Sequence, residues 1–110
     1  MTKEKTFWLS YDLGLKGDYN SIYRWLDRQK AKECGDSVAV FKFKCSTDDP
    51  KEEIKNSLLK NVEFSKTDRI YLLWRDDIKQ SNLGTFIIGH RKPAPWEGYF
   101  TTDGEQSFDF

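Results

Sequence analysis

The chain has 110 residues, and its 18 lysines and arginines match 18 aspartates and glutamates, for a formal charge of zero. That length holds one hydrophobic core, so residues 1–110 read as a single domain. Eight Phe, five Tyr and four Trp supply apolar area that a disordered chain lacks, no run of about 18 apolar residues offers a membrane span, and balanced charge excludes a surface built uniformly for phosphates.

In chain order, Phe7-Trp-Leu-Ser-Tyr-Asp-Leu13 alternates with period two, Phe7, Leu9, Tyr11 and Leu13 facing one way and Trp8, Ser10 and Asp12 the other, which predicts a strand. Gly14 and Gly17 end it, and Asp18 is positioned to cap a helix that begins near Tyr19 and carries Ile22, Tyr23 and Leu26 on one face. Residues 30–34 read either as the end of this helix or as a short strand. The strand is preferred, because Gly35-Asp36 is a two-residue hairpin signal ahead of the β-rich run Ser37–Cys45. Asp49-Pro50-Lys51-Glu52 then combines an N-cap, a proline at the first helical position and a glutamate in the first turn. Ile54, Leu58, Leu59 and Val62 form the buried stripe of that second helix. Asp68–Trp74 is a further strand, Asp76–Gly84 reads as a polar loop, and Thr85–His90 as a last short strand. Residues 93–110 form a tail with four acids and no base. The N-terminus shows no apolar signal-peptide core. Cys34 and Cys45 fit neither a disulfide framework nor a zinc site, so two reduced thiols in a cytoplasmic protein are expected.

This order predicts an α+β fold, a ferredoxin-like βαββαβ sandwich with an extra C-terminal strand. Two helices cover only one face of the sheet. Trp8, Val38, Val40, Tyr71 and Leu73 cannot all lie beneath them, and an apolar outer face of that size marks a partner surface, most simply in a homodimer.

The segment Trp8-Leu-Ser-Tyr-Asp-Leu13 resembles the strand opening of small SinR-like proteins, which are similar to the smaller CRISPR adaptation subunit, an endoribonuclease-like family. Gly35–Phe41, Asp68–Leu72 and Pro95-Trp96 follow in the same order. The resemblance implies a ferredoxin-like fold and a dimer in which the aspartate ending the first strand meets its counterpart across the axis to hold magnesium. Asp12 is the matching residue, and it would be both metal ligand and catalytic group. Magnesium takes hard oxygen ligands and keeps several waters, so two carboxylates can hold it, and such an ion can assist phosphodiester cleavage of RNA or DNA.

A sheet order of 4-1-3-2 would bring the end of the first strand beside the starts of the third and fourth, gathering Asp12, Asp36, Ser37, Asp68 and Arg69 at one edge. Ser37 and Arg69 are thus candidates for substrate binding, with Lys16 the one base in the loop after the first strand. Each has a plainer reading: Asp12 and Ser37 as turn residues, Arg69 as a partner for a nearby carboxylate. His90 is the only histidine, which excludes paired-histidine chemistry. No phosphate-binding glycine loop or nucleophile elbow is present. Three functions follow: a dimeric nuclease-like protein working through paired Asp12 residues, a non-catalytic dimeric adaptor binding protein or nucleic acid, and a toxin-type ribonuclease.

Overall fold

The computed structural model describes residues 3–100. The elements are β1 (Lys3–Asp12), α1 (Tyr19–Arg28), β2 (Lys32–Glu33), β3 (Val38–Cys45), α2 (Pro50–Asn61), β4 (Arg69–Asp76) and β5 (Ser81–Ile88). They form an α+β fold with one five-stranded sheet in the order β2-β3-β1-β4-β5, antiparallel throughout. Among the described residues, no helix is long and apolar enough to cross a membrane.

The period-two pattern of β1 becomes the two faces of the sheet. Phe7, Leu9 and Leu13 are buried, while Trp8, Ser10 and Asp12 are exposed. Phe7 pairs with Phe41 and Trp74, and Leu9 with Ala39 and Leu72, so the central strands stack their apolar side chains on one face. Both helices pack there, contributing Ile22, Trp25, Leu26, Ile54 and Leu58 to the same cluster. Burying each such side chain contributes roughly 1.5–3 kcal/mol. Trp25 joins the layers: its ring lies edge-on to Phe41, 5.3 Å between centroids, and its Nε1 donates to Ser57 Oγ of α2 at 2.9 Å. The other face of the sheet carries no helix among the described residues.

Both predicted helix caps are present. The Asp18 carboxylate accepts from Ser21 N–H and also from Glu63 N–H just past α2, and the second of these bonds is the main reason its acidity is raised. Asp49 accepts from Glu52 N–H, with Pro50 opening α2. In the same first turn, Glu53 reaches back to the β3–α2 loop and accepts from the backbone N–H and hydroxyl groups of Ser46 and Thr47 at 2.8–3.0 Å.

Those bonds, the Ser46 amide foremost, pull Glu53 from an ordinary 4.5 down to about 2. A depressed carboxylate stabilises the fold above its unfolded pKa, and that contribution is lost as pH falls through the folded one. Glu53→Gln is therefore expected to lower stability near neutral pH. The gap from the parent protein should close between pH 4.5 and about 2, as read from urea midpoints across that range. A gap that persists unchanged at pH 2 would show that the carboxylate's charge is not the cause.

Several local expectations change. Leu59, read into the buried stripe of α2, is 50% exposed, and Tyr23 on the apolar side of α1 is 51% exposed. The hairpin between β2 and β3 has three loop residues, because Cys34 N–H already donates to Val38 O; Gly35 sits at φ 126° and Ser37 at φ 64°. The last strand starts at Ser81 rather than Thr85, since Asp76 and Arg75 pair with Ser81 and Asn82. The connecting turn is closed by Asp76, whose Oδ1 accepts from Ile78 and Lys79 N–H. Finally, β1 ends at Asp12, and β5 stops at Ile88, leaving His90 outside the strand. Of the tail, residues 93–100 contain no helix or strand, and residues 101–110 lie outside the described part. Both cysteines are free, Cys34 exposed and Cys45 buried.

Candidate functional site

Strand register brings Asp12 directly opposite Arg69 on the helix-free face. The Arg69 guanidinium donates from Nε at 3.1 Å and from Nη2 at 2.7 Å to the same Asp12 oxygen, Oδ2. A guanidinium carries five N–H groups, so the Nη1 end of Arg69 remains for another acceptor. One step along the strands, Ser10 faces Tyr71 and Tyr71 faces Phe86. The Tyr71 and Phe86 rings meet edge to face, 4.9 Å between centroids.

Two glycines shape this corner. Gly84 leaves room where a Cβ would strike the Tyr71 hydroxyl, allowing that ring to lie across β5. Gly89, at φ 77°, passes so close to Asp68 O and Arg69 that any side chain would collide with them. Beyond this turn the chain brings Arg91 back over the sheet. Its guanidinium lies 5.4 Å from the Phe86 ring centroid and 5.9 Å from that of Tyr71, while Arg69 lies 5.6 Å from Phe86. Such placement lets the aromatic faces hold both cations in position. Ser10, Asp12, Arg69, Tyr71, Phe86 and Arg91 line a shallow recess of about 420 Å³. Its formal charge is positive, with two guanidiniums against one carboxylate, and Arg91 forms no ion pair among the described residues.

The remaining sequence candidates separate. Lys16 is exposed in the β1–α1 loop and does not line the recess. Ser37 is a hairpin residue whose carbonyl accepts the Tyr11 N–H at 2.9 Å, and it too lies outside the recess. Asp68 adjoins Arg69 in sequence but turns inward: it is 1% exposed and accepts from Ser65 N–H, Ser65 Oγ and Gly14 N–H. It therefore anchors the loop after β1 to the loop before β4. The predicted five-residue gathering reduces to Asp12 and Arg69. Phe86 and Arg91, absent from the sequence candidates, complete the group.

The proposed partner residues do share one face. Trp8 pairs with Val40 and Leu73, Ser10 with Val38 and Tyr71. Trp8 and Leu73 are 41% and 40% exposed, the other three half-buried. Alternation also sorts the charges of the neutral chain. The strands present Lys32, Lys42, Lys44, Arg69 and Arg75 on this face, against Glu4 and Asp12. With Arg91 added, the face is strongly basic and carries Trp8, Tyr71 and Phe86 among its cations.

A larger recess of about 790 Å³ lies between the β3–α2 loop and the β4–β5 turn. Lysines and aspartates line it, with Asp49 capping α2 and Asp76 closing the β4–β5 turn. No group of three or more His, Cys, Asp or Glu side chains suited to a metal ion occurs among the described residues. Comparisons with protein-family models, with curated proteins and with solved structures find no match.

Proposed function

We propose that this chain is a nucleic-acid-binding domain of ferredoxin-like fold whose Asp12–Arg69–Arg91 recess receives a backbone phosphate. The order β1-α1-β2-β3-α2-β4 with β5 appended, and the sheet order β2-β3-β1-β4-β5, support the fold assignment. The observation that carries the function is the convergence of two guanidiniums on one Tyr71–Phe86 pair with a single carboxylate for balance. Planar guanidiniums match the oxygens of a phosphate in pairs, and Arg69 Nη1 has no hydrogen bond among the described residues. Binding without turnover corresponds to the adaptor function.

The nuclease reading, in which a homodimer pairs two Asp12 carboxylates around magnesium, draws on a different observation. The Asp12 side chain is 55% exposed, and its Oδ1 has no hydrogen bond among the described residues. Within one chain, however, the donor set does not fit magnesium: it is one carboxylate with Oδ2 held by Arg69, beside a second guanidinium.

One titration separates the two. Measured by fluorescence anisotropy with a labelled oligonucleotide, Arg91→Ala is expected to weaken binding about fivefold to tenfold and to reduce the salt slope by roughly 0.7–0.9. Asp12→Asn, which releases Arg69, should tighten binding by about twofold to fivefold. Unchanged affinity in Arg91→Ala would overturn the phosphate site. Magnesium-dependent cleavage that Asp12→Asn abolishes would replace binding by the nuclease reading.

A further inference from the structure

We infer that the open sheet face is a stacking platform for single-stranded nucleic acid, with a base on Trp8 and phosphates on the flanking cations. The inference rests on the phosphate-site reading and specifies its ligand. Trp8 stands on β1, the middle strand of the sheet, and at 41% exposure it offers much of its indole to solvent. Its cross-strand neighbours Val40 and Leu73 give it an apolar floor on both sides. Beyond that floor the character changes to charge. Lys42 and Lys44 continue along β3 in one direction, and the Arg69–Arg91 recess lies two to four residues along β1 in the other.

An apolar aromatic centre bounded at both ends by cations complements a ligand whose own flat apolar groups alternate with anions. A single strand has that composition. Its bases stack on exposed aromatic side chains, while its phosphates track basic residues. A duplex keeps its bases stacked inside and presents only phosphate and groove edges, so it has no use for Trp8. A second copy of the chain would bring the same basic face to this one, setting like charges against each other. Charge complementarity thus favours the strand over the homodimer as occupant of this surface.

The experiment compares a labelled 12-nucleotide uridine or thymidine strand with a duplex of equal length, using the intact chain and anisotropy at low salt. The single strand should bind at least about tenfold tighter than the duplex. Trp8→Ala should weaken single-strand binding at least about fivefold, and Trp8→Phe, which keeps a ring, should restore most of it. Circular dichroism of both variants should match the parent, because a half-exposed side chain is not part of the core. If duplex and single strand bind equally and Trp8→Ala changes neither, the platform is overturned, whereas the phosphate site stands provided Arg91→Ala still weakens both. If Arg91→Ala also has no effect, both readings fail. Light scattering that shows a dimer split by Trp8→Ala would assign the face to a second copy and overturn the platform.

Discussion

Replacing Trp25 by alanine is expected to destabilise the fold by about 3–5 kcal/mol, measured as the shift in urea midpoint multiplied by the unfolding slope. The side chain is 1% exposed, lies edge-on to Phe41 and parallel to Phe43, and bonds Ser57 across to α2. Three contributions are lost together: transfer of the indole from water, the cavity left behind, and the Trp25–Ser57 hydrogen bond, which together with Arg28–Asn61 joins the two helices. Against a total stability of about 5–15 kcal/mol for a domain this size, that loss brings the protein close to unfolding at moderate temperature. Trp25→Phe keeps most of the apolar volume and forfeits the bond to Ser57, so a smaller cost of about 1–2 kcal/mol is expected. A cost below about 1 kcal/mol for Trp25→Ala would mean that α1 repacks freely on the sheet.

Asp68→Ala should be nearly as damaging, at about 2–4 kcal/mol, and should also weaken oligonucleotide binding. The buried carboxylate accepts from two backbone amides, Gly14 and Ser65, and from the Ser65 hydroxyl. Alanine removes the acceptor that ties these donors together and leaves a small void at the buried Asp68 position, while Gly14 and Ser65, both exposed, turn to water instead. Gly14 follows Asp12 by two residues and Asp68 precedes Arg69, so the same bonds set where β1 ends and β4 begins. Loosening them lets the Asp12–Arg69 pair drift, and the proposed phosphate site would lose its preorganised geometry. Asp68→Asn retains one acceptor oxygen but turns an NH2 group toward a donor, so its effect should be intermediate in both measurements. Full stability in Asp68→Ala would show that the loops do not depend on this carboxylate.

Local signals in the sequence were sufficient for most of the framework. Asp49-Pro50 opens α2 because a cap and a proline act within one turn, and the alternation of Phe7 to Asp12 sorts β1 between two faces whatever its neighbours are. The first half of β5 was hidden for a physical reason. Ser81 and Asn82 sit on an edge strand, where solvent tolerates polar residues and only pairing with Asp76 and Arg75 makes them a strand.

The site was legible where register governs it and obscure where a turn does. Asp12 and Arg69 meet because antiparallel pairing places them opposite each other. The sheet order also places Asp68, at the start of the fourth strand, beside the end of the first, yet period two sends adjacent residues to opposite faces, which puts it inside. Ser37 was grouped in the same way, but its left-handed backbone belongs to the hairpin loop. Phe86 could have been found by alternation, as the open-face partner of Tyr71. Arg91 could not: nothing in His90-Arg91-Lys92 reveals that Gly89 folds the chain back over Asp68 and Arg69.

The sorting of charge by strand alternation has a consequence for how the molecule would meet the proposed ligand. Since the whole chain sums to zero, the positive excess on the sheet face is matched by an equal negative excess in the rest of the sequence, and no net charge acts at long range. A dipole's field decays faster with distance than that of a net charge, and physiological salt confines it further, to about 8 Å. A polyanion is therefore not drawn in from afar. Encounter with the proposed strand would proceed at the rate of ordinary diffusion, with the field acting only at close range, as a torque that turns the sheet rather than the helices toward it. Electrostatics in this molecule selects orientation, and speed of capture is left to concentration.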